Sequence, residues 1–263
     1  MTTVQPTDRA SSTPGTPAAG RTIRLAFVGI IGPLFYIVAI AAMHVLRPHN
    51  VVLYGNTMSA YSVGPYGSIS IAAFVALGLG ALALAVGLRR AVMPSRALRV
   101  GCVLVGVFGV GWLLAGIFRF APDVASIEST LKGENPTTSG IIHGLGGFGG
   151  IFCLIVGMIV LSRAFARDER WRSFWPVSLT LGLATLILFV FGLFVLNSPP
   201  VVPCCPRGSA PWWGAIEWRF FVSAFVMWLF LTAIRLRSVA REPVPVRSAR
   251  GERGADRHEG DHG

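Results

Sequence analysis

Six apolar stretches, each about 20 residues long, leave this 263-residue chain few ways to fold. They lie near 25–46, 68–88, 97–118, 140–162, 174–196 and 212–234. A helix of about 20 apolar residues, rising 1.5 Å per residue, crosses the ~30 Å hydrocarbon core of a bilayer. Hydrocarbon satisfies no backbone N–H or C=O, so a spanning segment must be a helix or a strand of a closed barrel. Barrel strands alternate polar and apolar residues over about ten positions, and a run such as VALGLGALALAVGL does not alternate. The chain therefore reads as all-α, a polytopic membrane helical bundle with six transmembrane helices over residues 25–235. Its 13% of charged residues, about half the share of a soluble domain, agrees.

The flanks differ in kind. Residues 1–24 open with MTTVQPTDRASSTPGTPAAG, which has no apolar run; they read as a disordered tail and not as a secretory signal. Residues 236–263 are polar, rich in Arg, and read as a second disordered, basic tail.

Arginine gives the expected orientation. Of the 23 Lys and Arg residues, 18 fall in the two tails and in the second and fourth loops. The opposite side receives only Arg47, Arg119, Lys132 and Arg207, with Arg219 left inside the sixth stretch. The positive-inside rule then makes both termini cytoplasmic, in a multi-pass protein of the cell membrane. The formal charge of +11 reflects that bias and an attraction to anionic lipid headgroups on the cytoplasmic side. The basic residues flank apolar segments instead of forming one folded basic face, so the implied partner is the bilayer and no nucleic acid.

The first, third and fifth loops, about 21, 21 and 15 residues long, exceed the about 8 and 11 residues of the two cytoplasmic ones. Long connections in compact folds are often functional, and the polar residues within the helices also gather toward this outer side. His44 ends the first stretch, His143 opens the fourth, and Glu217 and Arg219 lie one to two turns into the sixth. A charge deep in a spanning helix costs roughly 2.5–3.5 kcal/mol, so such groups face the bundle interior and find partners. Glu217 and Arg219, two residues apart, point in different directions on a helix. Contacts are thus expected among Arg47, Arg119, Asp123, His143, Glu217 and Arg219, as a polar binding cluster or as a network fixing helix register. Asp123, four residues after Arg119, is placed to partner either that Arg or His143.

Familiar catalytic signatures are missing: the chain has no H-E-x-x-H, Cys-x-x-Cys or G-x-S-x-G. His44, Asp123 and His143 would be the weak candidates for a metal site with three ligands and an open position. His143, Asp123 and Ser59 are the catalytic candidates, although the sequence identifies no base beside Ser59. No cofactor is indicated. Cys102 and Cys153 read as packing residues within helices, and Cys204-Cys205 sits in an outward loop where oxidation is possible. The run HGLGGFGG at 143–150 satisfies G-x-G-x-x-G but lies inside an apolar stretch, not between a strand and a helix. Gly140 with Gly144, and Gly146 with Gly150, are expected instead to let another helix approach closely.

SAYSVGPYG after the first stretch, RFAPD at the end of the third and TTSGIIHG opening the fourth resemble the bacterial and archaeal membrane-protein family labelled domain of unknown function 998. The resemblance covers about residues 25–235. It implies a polytopic helical protein with polar motifs on one face, Ser59, Asp123 and His143 being characteristic positions. Glu217 and Arg219 resemble the family's late acidic or polar residue followed by Arg. Two departures are Ala60, where an acidic residue is expected, and Trp218 between Glu217 and Arg219. The expected function is binding of a lipid or small solute, or support of envelope partners, through the outward polar cluster. The alternatives are a membrane-embedded lipid hydrolase, metal-dependent or not, with His143 as base or ligand, and a small-solute transporter.

Overall fold

The structure is a computed structural model that describes residues 17–48, 58–134, 136–197 and 212–242. Most of both tails, and the Cys204-Cys205 loop with Arg207, lie outside the described residues. The described part is all-α, with six helices long and apolar enough to cross a membrane.

Helix α1 (Pro17–Leu46) leads into a 3-10 turn over Met58–Ser62 and then α2 (Gly67–Ala91). Helix α3 (Arg96–Ile117) starts where the Ser95 hydroxyl oxygen accepts from the Leu98 N–H at 3.1 Å, an N-cap that satisfies one of the helix's unpaired donors. A short α4 (Ile127–Lys132) follows, then α5 (Thr138–Arg167), capped by Thr137 accepting from the Gly140 N–H at 3.0 Å. Helices α6 (Trp175–Asn197) and α7 (Trp212–Arg241) complete the set. α1 begins at Pro17 and α7 runs to Arg241, so both continue past their apolar stretches.

The six long helices pack in sequence order, and α1 against α7 closes the ring. Phe108 and Trp112 of α3 meet Phe225 of α7 at its centre, and Phe221 packs on Phe225 from the same helix. Trp228 is fully buried, and a buried indole N–H needs an acceptor. It donates to Ser178 Oγ at 2.8 Å, and that hydroxyl donates to the Met158 carbonyl at 3.2 Å, tying α7, α6 and α5 together.

Five residues of α5, Leu145–Gly149, form a π-helical turn within the glycine run. Such turns interrupt α-helices at positions that carry function. Within that turn a Cβ on Gly146 would stand 2.6 Å from the Gly111 carbonyl oxygen of α3, so the two backbones touch there as only glycine permits. The close approach expected of both glycine pairs holds for Gly146, with Gly150 against Phe108. It fails at Gly144, where an added Cβ would meet nothing within 4 Å.

At one end the buried Asp168 accepts from the N–H of Met93 at 2.8 Å and of Arg170 at 3.0 Å. The Arg170 guanidinium donates to the Ala91 carbonyl at 2.7 Å, and Arg235 donates to the carbonyl of Arg170. The two arginine-rich loops and the last turns of α7 therefore share this end. The loops carrying Ser59 and Asp123 lie at the other.

Candidate functional site

The arginine-poor end is organised around the segment that follows α1. Met58–Ser62 turns as a 3-10 helix in which the Ser62 hydroxyl donates to the Ser59 carbonyl at 2.6 Å. Gly64 then takes a positive φ of 84°, which glycine adopts without cost, and Tyr66 enters α2 at φ 61°. Arg47, just past α1, fastens this segment. Its Nη1 donates to the Val63 carbonyl at 2.6 Å, with Pro65 and Tyr61 carbonyls at 3.4 and 3.5 Å. From below, the Tyr36 hydroxyl donates to Met58 Sδ at 3.6 Å.

Ser59, thus held, meets His143. The histidine ring is 4% exposed, with Phe74 and Phe120 edge-on at 6.0 and 5.6 Å between centroids. Its Nδ1 lies 3.0 Å from the Phe118 carbonyl oxygen and its Nε2 lies 2.8 Å from Ser59 Oγ. A carbonyl can only accept, so Nδ1 carries the proton, Nε2 is the acceptor and the Ser59 hydroxyl is the donor. Phe118 is free to serve because it ends α3 in an extended conformation, φ −92° and ψ 121°, which takes it out of the helical ladder. A nucleophile, a base and a group that orients the base are all within hydrogen-bond reach.

The three sequence motifs converge here. Ala60 and Val63 of SAYSVGPYG pack with Ala121 of RFAPD and with Ile127 in a small apolar cluster, with Phe120 against it. The Ser139 hydroxyl of TTSGIIHG donates to the Arg119 carbonyl at 2.9 Å. Ala60, where an acidic residue was expected, is buried in that cluster.

Asp123 does not join His143. Its Oδ1 accepts from both the hydroxyl and the N–H of Ser126 at 2.8 Å, closing a local turn on the exposed surface. The Ser126 hydroxyl, then its N–H, hold the Asp123 carboxyl below the usual carboxylate range. Four residues of flexed loop put it beside Ser126 and not beside the Arg119 side chain, which is exposed. The place beside His143 expected for Asp123 is taken by a backbone carbonyl instead.

His44 and Arg219 make a second contact. Arg219 Nε donates to His44 Nε2 at 2.9 Å, and His44 Nδ1 donates back to the Ile40 carbonyl at 2.7 Å. Tyr61 packs on His44 at 5.2 Å between ring centroids. Burial raises the Tyr61 hydroxyl above its ordinary range, against the pull of the neighbouring Arg219 and Arg47. The ring nitrogens of both histidines are occupied in different contacts, so His44, Asp123 and His143 do not converge as a ligand set. Among the described residues no three His, Cys, Asp or Glu come together.

Glu217 faces the other way. It is 7% exposed, neither carboxylate oxygen has a hydrogen-bond partner among the described residues, and a Cβ on Gly192 of α6 would stand 3.0 and 3.2 Å from them. The single polar cluster expected from Arg47 to Arg219 is thus three arrangements, Arg47 on loop carbonyls, Ser59 with His143, and Arg219 with His44, the first and third sharing Tyr61. Phe118 and Tyr36, which complete them, carry no signal in the sequence beyond their apolar character.

No curated protein and no solved structure matches the chain. A family model described as a protein of unknown function, DUF998, matches residues 30–235, which include every residue of the three arrangements. With most of its length covered, and the three converging motifs inside the match, the chain belongs to the DUF998 family of proteins of unknown function.

Proposed function

We propose that this integral membrane protein carries, at its arginine-poor and outward-facing end, a serine–histidine pair that transfers or hydrolyses an acyl group of an amphiphilic ester from the surrounding leaflet. The observation that carries the reading is the 2.8 Å hydrogen bond from Ser59 Oγ to His143 Nε2, with Nδ1 fixed on the Phe118 carbonyl. Ser59 is partly exposed while its base is buried, so a substrate reaches the hydroxyl before it reaches the imidazole.

In the first step Ser59 Oγ attacks the ester carbonyl carbon and its proton passes to His143 Nε2. The Phe118 carbonyl accepts the Nδ1–H throughout and favours the imidazolium that forms. Collapse breaks the bond to the leaving alcohol, which takes the proton from Nε2, and the acyl group stays on Ser59. Water, or an acceptor alcohol, then attacks that acyl carbon and gives its proton to His143 Nε2; the bond to Ser59 Oγ breaks, Oγ takes the proton back from Nε2, and the acid or new ester leaves. A carbonyl is a weaker partner for the imidazolium than a carboxylate, so turnover is slower than in an enzyme with an acidic third member.

The test is covalent labelling of the purified protein with a fluorophosphonate, read by peptide mass spectrometry. Labelling at Ser59 that vanishes in Ser59→Ala and falls at least 100-fold in rate in His143→Ala is the expected result. An unlabelled Ser59, with no ester turnover in proteoliposomes, overturns the reading.

A second reading, binding without turnover, is favoured by Glu217. A buried carboxyl with no donor among the described residues suits a hydrogen-bond-donating solute or lipid headgroup entering beside Gly192. Under it, Glu217→Gln changes the lipids that copurify and Ser59→Ala does not.

A further inference from the structure

The arginine-rich end holds a feature that the serine–histidine pair does not use. Ile234, Arg237, Ser238 and Arg241 of α7 fall at i, i+3, i+4 and i+7, so they line one face of the helix. With Glu242 they wall a groove of about 500 Å³ at the helix end. The groove grades from apolar to charged along α7, Ile234 on the bundle side and Arg241 at the rim. Its neighbour on α1 is Phe27, over whose ring the Arg237 guanidinium lies at 5.6 Å. Phe27 and Ile234 are both exposed apolar side chains, and Arg24, exposed three residues before Phe27, continues the basic rim on α1.

Among the described residues neither Arg237 nor Arg241 pairs with a carboxylate, and Arg237 Nε is buried with no acceptor. Glu242 is opposed by Arg235, whose Nη1 lies 3.8 Å from its carboxylate. The groove is therefore net positive, has a hydroxyl on its wall, and is apolar where it meets the hydrocarbon. A guanidinium stacked on an aromatic ring keeps its outer N–H donors for a bidentate acceptor, the geometry that suits phosphate.

We infer that this groove on the end of α7, beside Phe27 of α1, is a binding site for the phosphate of an anionic phospholipid, with Arg237 and Arg241 on the headgroup and an acyl chain along Phe27 and Ile234. Basic pockets at the inner ends of spanning helices recognise such headgroups. A general positive-inside bias needs only charge near the surface; this site requires two particular arginines.

The full chain in detergent, titrated with phosphatidylglycerol or phosphatidylcholine and read by native mass spectrometry, tests it. Phosphatidylglycerol is expected to bind in preference, and Arg237→Gln with Arg241→Gln to weaken it about 30-fold, each arginine at an anionic surface being worth about fivefold. Arg237→Lys with Arg241→Lys, which keeps the charge, is expected to restore part of that affinity, and Arg90→Gln on α2 to leave it unchanged. Monodisperse elution of each variant shows that it folds. Equal binding of the two lipids, an equal loss in Arg90→Gln, or full displacement by millimolar inorganic phosphate each overturns the assignment, the last by making a free anion the ligand.

Discussion

Removing the Ser59 hydroxyl separates what the pair contributes to stability from what it contributes to chemistry. In Ser59→Ala the Nε2 lone pair of His143, on a ring 4% exposed, loses its donor at 2.8 Å while Nδ1 keeps the Phe118 carbonyl. One lost hydrogen bond to this buried acceptor costs at least about 1 kcal/mol. Hydrogen bonds between membrane helices measured by double-mutant cycles average about 0.6 and reach about 1.7 kcal/mol, which brackets the same figure. His143→Ala costs more, because it also vacates the space between Phe74 and Phe120 and strands the Phe118 carbonyl. The cycle Ser59→Ala, His143→Ala and the double variant isolates the bond itself, since the alanine at 59 has nothing to lose once the imidazole is gone. Unfolding by sodium dodecyl sulfate in mixed micelles supplies the four free energies. A coupling of 0.6–1.7 kcal/mol is expected, with fluorophosphonate labelling abolished in Ser59→Ala although that variant remains folded. A coupling below about 0.2 kcal/mol would refute the hydrogen bond on which the proposed chemistry stands.

Three other perturbations follow from the same geometry. Gly146→Ala forces a methyl to 2.6 Å from the Gly111 carbonyl and is expected to lower stability by about 1–3 kcal/mol; Gly144→Ala, in open space, should change it by less than about 1 kcal/mol in either direction, both read by the same unfolding assay. Ser178→Ala leaves the Trp228 indole N–H without its acceptor and should cost about 1–2 kcal/mol, with a shift in tryptophan emission. Asp123 has a depressed folded pKa, so its contribution to holding the turn is present above the ordinary carboxylate value and is lost as pH falls through the folded one; Asp123→Asn should remove that dependence, followed as protease cleavage of the loop between pH 6 and 3.

The helices were legible because the bilayer fixes their length whatever their side chains do. Their ends were less so: α1 starts at Pro17 because a helix need not stop where hydrocarbon does, and nothing apolar marks that continuation. The π turn at Leu145–Gly149 was hidden for another reason. Five residues of mostly glycine have no conformational preference of their own, and the contact with Gly111 belongs to another helix. Ser59 and His143 stood out as polar residues at helix ends, but 84 residues separate them and no spacing rule joins such a pair. The third member was invisible, since a backbone carbonyl exists at every position and only the extended turn at Phe118 aims this one.

Glu217 and Arg219 show how far a helical argument reaches. Two residues of α-helix turn the side chains about 200° apart, which excludes a shared partner and was apparent from the sequence. What each then meets depends on the ring order of the helices: Arg219 turns to α1 and finds His44, and Glu217 turns to α6 and finds the bare backbone of Gly192. The two flanks of α7 are therefore unlike at this end. On the α1 side a hydrogen bond at 2.9 Å holds the guanidinium, while on the α6 side the carboxylate makes no hydrogen bond among the described residues. A buried carboxyl without a donor destabilises the interface that contains it, so any ligand that donates to Glu217 strengthens the α6–α7 contact by relieving that cost. Helix α6 is otherwise tied to α7 lower down, through Trp228 and Ser178. An occupant at Glu217 would thus be felt first as tighter closure of the bundle on its α6 side, independently of whether Ser59 reacts.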